Sequence, residues 1–87
     1  MVILKGKVNN PSGLTSRLSA DLVAEANRFK SLATLVIDEE RADLKSIMNV
    51  MALVVISGKE FKIELDGEDE KIAAKRFEEL LSALKLK

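Results

Sequence analysis

The sequence contains no histidine, cysteine, tryptophan or tyrosine. Without cysteine there is no disulfide framework and no thiol nucleophile. Because histidine is also missing, a zinc site would have to consist of carboxylates alone, which is rare. The three phenylalanines are too few to build the stacking platforms of RNA-binding or single-strand-binding proteins. We therefore expect no metal, no cofactor and no direct nucleic-acid partner.

Neither an excess of one charge nor a long hydrophobic run is present. Lysine and arginine number 14 and so do aspartate and glutamate, so no net field attracts nucleic acid or an anionic membrane. The start of the chain lacks the basic residues and the long apolar stretch of a signal peptide. These features favour a cytoplasmic protein without a membrane partner.

The chain length, 87 residues, predicts one small domain covering residues 1–87. Apolar residues make up 47% and charged residues 32%, a balance typical of a folded core. At this size there is no room for a cleft between domains. No histidine, cysteine or clustered carboxylate pair marks a catalytic site, so an enzyme is not expected.

Hydrophobic periodicity predicts the elements of the first half. Residues 2–8 alternate apolar and polar or small side chains, as a strand with one buried face does. From about Ser16 the apolar spacing changes to three and four, which predicts an amphipathic helix buried through Leu18, Leu22, Val23, Ala26 and Phe29. A β-branched run at 32–37, a turn at 38–40 and a short strand at 41–44 predict a hairpin. That turn has no glycine or asparagine to supply a positive φ.

The second half predicts a short helix, a strand and a longer helix. Ser46 is a preferred N-cap residue before the apolar segment 47–53. Apolar and charged residues alternate in 60–66, which predicts a strand with one solvated face. Asp69 is expected to cap a final helix. The order βαββαβα predicts an α+β fold, an open-faced sandwich.

Three segments resemble one family. They are residues 13–20 (GLTSRLSA), 45–51 (KSIMNVM) and 66–70 (DGEDE), and together they are similar to the bacterial phosphocarrier protein HPr. The resemblance spans the chain and implies a four-stranded antiparallel sheet covered by helices on one face. In that family, a histidine in the first segment carries a phosphoryl group from phosphoenolpyruvate toward sugar transporters. Here that position is Thr15.

The first motif keeps Gly13, Leu14 and Arg17 but has Leu18 where the family has a proline. An alcohol is a weak nucleophile without a nearby base, so phosphoryl carriage is not expected. One interpretation of Thr15, Ser16 and Arg17 is a residual anion site at a helix N-terminus. The alternative is that Thr15 or Ser16 is simply an N-cap and Arg17 a solvated side chain.

The second motif resembles Gram-positive HPr proteins and their histidine-lacking relatives called Crh. The resemblance implies that an HPr kinase/phosphorylase phosphorylates Ser46 and that the product binds a CcpA-type transcription regulator in catabolite repression. Phosphate at an N-cap would interact favourably with the helix dipole. Asn49 replaces the family's usual glycine beside this position. The alternative is that Ser46 is only a cap.

A two-turn helix cannot bury every side, so most of Ile47, Met48 and Met51 should be exposed as a partner surface, together with Arg17. A regulatory phosphoprotein is the leading hypothesis. The alternative is a phosphotransfer-inactive paralogue, or an altered HPr variant, acting as a plain binding module. An N-terminal strand at the edge of the sheet would also allow a strand-exchange dimer.

Overall fold

The computed structural model describes residues 1–53 and 57–87. Within these ranges, four strands and three helices follow one another in the order βαββαβα, which confirms the predicted order. They are β1 (Val2–Lys7), α1 (Ser16–Ala26), β2 (Leu32–Ile37), β3 (Glu40–Asp43), α2 (Ile47–Ala52), β4 (Glu60–Asp66) and α3 (Glu70–Ala83).

All four strands form one antiparallel sheet in the order β1-β4-β2-β3. The register aligns one buried row across it, in which Leu4 lies opposite Ile63, Ile63 opposite Leu35, and Leu35 opposite Ala42. Because side chains alternate between the two faces of a strand, one face of the sheet is apolar. The three helices, with their buried apolar side chains, complete the core over this face, as the resemblance implied.

The other face of the sheet is open and mostly charged. Lys5 lies opposite Lys62, and Arg41 forms an ion pair with Glu64 of β4. β1 and β3 are the two edges of the sheet, so the prediction that the N-terminal strand lies at an edge is confirmed.

The turn of the β2–β3 hairpin contains neither glycine nor asparagine. Ile37 pairs with Glu40, which leaves Asp38 and Glu39 as a two-residue connection. Asp38 adopts φ 51°, a conformation that short polar side chains tolerate. The return strand therefore begins at Glu40, one residue earlier than the predicted start at residue 41.

Each of the two longer helices buries one face. The predicted stripe of α1 is found except for Phe29, which lies beyond the end of the helix at Ala26 and is only partly buried. In α1, Leu22 and Ala26 are buried, while Leu18 and Val23 pack partly buried against the core. Ser19 is buried too, although the pattern of apolar residues did not include it. In α3 the buried residues are Ala73, Ala74, Phe77 and Leu81.

The predicted capping of α3 by Asp69 is wrong. Asp69 occupies the N-cap position but makes no capping hydrogen bond with its side chain. Its carboxylate instead accepts the backbone N–H groups of Lys30 and Ser31, each at 2.9 Å, and the Ser31 hydroxyl. These three donors lower the pKa of Asp69, the Ser31 hydroxyl most strongly. The carboxylate thus stabilises the connection between α1 and β2 and does not cap the start of α3.

Residues beyond α3 fold back onto β1, which the sequence pattern did not indicate. Leu86 is fully buried, and its carbonyl accepts the backbone N–H of Lys7 at 2.7 Å. Gly6 lies close to the tail: a Cβ atom at this position would lie 2.5 Å from the Leu86 carbonyl and would also overlap the ring of Phe61. Only glycine fits there without a shift of the backbone.

Candidate functional site

The start of α1 contains the first motif, and Thr15 is its N-cap. The Thr15 hydroxyl accepts the backbone N–H of Leu18 at 3.2 Å, and the Thr15 carbonyl accepts the N–H of Ser19 at 2.9 Å. The first bond satisfies one of the donors that a helix leaves open at its start. The capping interpretation of Thr15 is therefore confirmed, and its hydroxyl already has a structural role.

Ser16 and Arg17 lie in the first turn of α1, and both are exposed. Within residues 1–53 and 57–87, no carboxylate forms an ion pair with Arg17. Its guanidinium is therefore available to a binding partner. The anion site formed by Thr15, Ser16 and Arg17 stays a prediction.

Ser46 lies at the end of a turn that other parts of the chain hold in place. Asp43 fixes the turn from within: its carboxylate accepts the N–H of Lys45 at 2.9 Å and its carbonyl accepts the N–H of Ser46 at 3.0 Å. The Asn27 side chain at the end of α1 donates to the Lys45 carbonyl at 3.1 Å. Lys45 in turn donates through Nζ to the Phe29 carbonyl at 2.8 Å. The lysine beside Ser46 thus joins the turn to the end of α1.

The Ser46 hydroxyl caps α2, as expected. It accepts the backbone N–H of Asn49 at 3.3 Å, and it also accepts the side-chain amide of Asn49, with Nδ2 at 2.9 Å. Ser46 is partly exposed. Ser46 is therefore partly accessible to solvent, but its hydroxyl oxygen accepts two hydrogen bonds, both from Asn49.

The outer side of α2 is an exposed apolar surface. Met48 is 81% exposed, Met51 53% and Ile47 37%, and these residues line one surface depression with Ala52. Val50 faces the core and is buried, and Leu53 is partly buried. The sequence predicted that most of the three larger residues would be exposed, and all three are. We call Ile47, Met48 and Met51 the α2 patch.

Thr15 and the turn before Ser46 lie at opposite ends of α1. Thr15 begins this helix, whereas Asn27, which contacts the turn before Ser46, caps its other end. Twelve residues of helix rise roughly 18 Å. Consequently the two hydroxyl groups do not share one pocket, and a partner that reached both would have to extend along α1.

Sequence reasoning missed the residues that position Ser46. An aspartate that accepts the N–H two residues ahead is a recognised turn signal, so the role of Asp43 could have been found. The contacts of Asn27 and Lys45 join positions 18 and 16 residues apart, and no local pattern indicates them. Asn49 was noted beside Ser46, but its double contact was not predicted.

Other functional features are absent from the described ranges. No helix in residues 1–53 and 57–87 is long and apolar enough to cross a membrane. Histidine, cysteine, aspartate and glutamate do not cluster in a metal-binding arrangement anywhere in the same ranges.

Comparison with known proteins connects these features to one family. The family model of the PTS HPr component phosphorylation site matches residues 5–83. The HPr-like protein Crh of Bacillus subtilis is 41% identical over 76 residues, which cover 87% of this chain and 89% of Crh.

Solved structures agree with the sequence comparison. The histidine-containing phosphocarrier protein of Mycoplasma superposes with a TM-score of 0.92 and 32% identity, covering 98% of this chain and 97% of that one. A crystal structure of Crh from Bacillus subtilis, described as having a swapping domain in a dimer, superposes with a TM-score of 0.67 and 41% identity, with 87% of each chain covered.

Proposed function

This chain belongs to the HPr family of the phosphotransferase system, and from this membership we propose that it is a regulatory member that acts through Ser46 instead of carrying phosphate at residue 15. One observation carries the proposal. Both hydroxyls cap helices and both residues are partly exposed, but Ser46 begins the helix with an exposed apolar side, whereas α1 exposes no large apolar side chain.

Loss of phosphoryl carriage follows from the chemistry of residue 15. A carrier must accept a phosphoryl group and release it again. An imidazole nitrogen does both, because its phosphoramidate is reactive. A threonine hydroxyl is a weak nucleophile at neutral pH, and its phosphate ester is a poor donor. The chain contains no histidine at any position that could replace the missing imidazole.

The partners follow from the family and from the α2 patch. We infer that an ATP-dependent HPr kinase/phosphorylase modifies Ser46 and that a CcpA-type transcription regulator binds the product. Because both partners would act in the cytoplasm, we infer that this protein is cytoplasmic. An exposed surface of methionine and isoleucine can adapt to more than one partner. Arg17, which has no ion pair in the described part of the chain, would add a cation for a phosphate or a carboxylate of the partner.

The experiment is incubation of the purified protein with ATP and an HPr kinase/phosphorylase, followed by peptide mass spectrometry. Crh of Bacillus subtilis serves as the positive control. We expect one phosphate on Ser46 and none in Ser46→Ala. Phosphate on Thr15 or Ser16 instead would contradict the proposal. Modification of Ser19 would require local unfolding, since this residue is buried.

The exposed α2 patch also supports a second function, a plain binding module. Because the patch is exposed without any phosphate, a paralogue of this kind could compete with true HPr for the same enzymes. The two functions differ in the effect of phosphate. A module would bind its partner equally well as the wild type and as Ser46→Ala, before and after incubation with kinase and ATP.

We also propose a dimer formed by exchange of β1 between two copies. Within the described residues, β1 is an edge strand whose one neighbour in the sheet is β4, so a second copy can supply the same hydrogen bonds at little cost. The related Crh structure is described as a dimer with a swapping domain. Size-exclusion chromatography with light scattering over a range of concentrations tests this, and a monomer at every concentration would exclude it.

A further inference from the structure

Asn49 occupies both acceptor sites of the Ser46 hydroxyl. Its backbone N–H donates at 3.3 Å and its Nδ2 at 2.9 Å. A serine oxygen has two lone pairs for accepting hydrogen bonds and one O–H for donating. In this arrangement neither lone pair of Ser46 Oγ is free.

The side-chain contact is specific to Asn49 and is not a general consequence of capping. In the usual capping box, the residue at the Asn49 position would accept the backbone N–H of the cap residue. Here that N–H already donates to the Asp43 carbonyl at 3.0 Å. The Asn49 side chain is therefore not needed for that bond, and it donates to the Ser46 hydroxyl instead. Capping itself needs only the backbone N–H of Asn49.

We propose that Asn49 is a positioning residue that restrains the Ser46 hydroxyl and so slows its phosphorylation; this inference rests on the proposed function. In the transfer, a lone pair of Ser46 Oγ forms the new bond to the γ-phosphorus of ATP. The bond from that phosphorus to the bridging oxygen breaks, and its electron pair leaves with ADP. The hydroxyl proton passes to a base of the kinase.

Attack requires one lone pair to be released. The backbone N–H of Asn49 is fixed by α2, so the donor that leaves is Nδ2, by rotation of an exposed side chain. The opposite orientation of the amide would place its oxygen on the hydroxyl proton, the atom that the kinase base must reach. In both orientations the amide holds an atom that the reaction uses.

The test compares wild type, Asn49→Ala and Asn49→Gln with an HPr kinase/phosphorylase and ATP, measuring kcat and KM for phosphate at Ser46. One hydrogen bond makes a modest net contribution, so Asn49→Ala should raise kcat by roughly 2-fold to 10-fold with little change in KM. Asn49→Gln keeps an amide and should stay closer to wild type. Circular dichroism of each variant checks that it is folded.

The outcomes separate this inference from the proposed function. If wild type is labelled at Ser46 and Asn49→Ala shows an equal or lower kcat, then Asn49 is only part of the helix start, and the inference fails while the proposed function stands. If wild type is labelled at Ser46 and Asn49→Ala has a kcat at least about 2-fold higher, the inference is supported. If no variant is labelled although Crh of Bacillus subtilis is, the proposed function fails and the inference with it.

Discussion

The Thr15 hydroxyl accepts a hydrogen bond from the backbone N–H of Leu18, at 3.2 Å. The HPr family, which this segment resembles, has a histidine at the position of Thr15 and a proline at the position of Leu18. A proline has no N–H to donate. The two departures therefore form one interaction, in which threonine supplies the acceptor for a donor that proline would not present.

This pairing predicts that changes at the two positions are not independent. Leu18→Pro alone removes the donor that Thr15 caps, whereas after Thr15→His this capping bond has already been lost. The added cost of Leu18→Pro should then be smaller by about 1 kcal/mol, the usual effect of one cap. Urea unfolding of wild type, both single variants and the double variant measures the coupling. Strictly additive costs would contradict it.

The same variants test phosphoryl transfer from phosphoenolpyruvate. Wild type should stay unlabelled by the general phosphotransferase that charges HPr. Thr15 offers a hydroxyl that caps α1, not an imidazole nitrogen. Thr15→His should be labelled in part, and Thr15→His with Leu18→Pro at least as well. An acid-labile label on wild type would oppose this prediction, as would a folded double variant that remains inert.

The α2 patch predicts a separation of binding from stability. Met48→Ala truncates a side chain that is 81% exposed, so it should weaken partner binding while the free energy of unfolding changes by less than about 0.5 kcal/mol. Val50→Ala is the matched control on the same helix. Its side chain is buried, and the truncation should cost about 2 kcal/mol of stability. Equal losses of stability in the two variants would place Met48 in the core.

The Asp69 carboxylate predicts a defined pH dependence of stability. Its pKa is lowered in the folded protein by the Ser31 hydroxyl and the Lys30 N–H. The stabilisation is therefore fully present above the unfolded-state pKa of about 3.9 and is lost as pH falls through the lower folded-state value. Asp69→Asn should be less stable than wild type at pH 7, and the difference should shrink on acidification.

Urea unfolding at several pH values measures this difference. Glu68→Gln is a suitable control, because Glu68 is an exposed neighbour and its replacement should leave the pH dependence unchanged. A gap between wild type and Asp69→Asn that stayed constant down to the lowest pH at which both fold would show that ionisation of Asp69 is not the cause.

Gly6→Ala tests the close approach of the C-terminal tail to β1. The added methyl group would meet the Leu86 carbonyl and the Phe61 ring, so we expect destabilisation of about 1–3 kcal/mol. Lys5→Ala, at an exposed neighbour in the same strand, should change the unfolding free energy much less. If both variants unfold at the same urea concentration, the tail does not pack on β1 in solution.

The sequence alone determined the elements and the helix cap at Ser46, and it narrowed the cap of α1 to Thr15 or Ser16. Strand and helix periods arise because one face of each element meets the core and the other meets water, and this pattern lies within a few neighbouring residues. A cap likewise joins positions only three apart. The family motifs indicated the type of site in the same local way, through residues 13–20 and 45–51.

Only the tertiary structure decided which distant groups meet. Asp69 has the sequence of a cap, yet its carboxylate binds Ser31, which is 38 residues away, because this connection presents N–H and O–H donors at hydrogen-bonding distance. Leu86 is buried because β1 lies within reach of the tail, and Asn27 holds the turn before Ser46 because α1 ends beside it. Such contacts depend on distances through space that the order of residues does not encode locally. The exposure of the α2 patch was expected from the size of the helix. The hydrogen bond from the Asn49 side chain to the Ser46 hydroxyl was not expected, and it forms where the backbone N–H of Ser46 already donates to the Asp43 carbonyl.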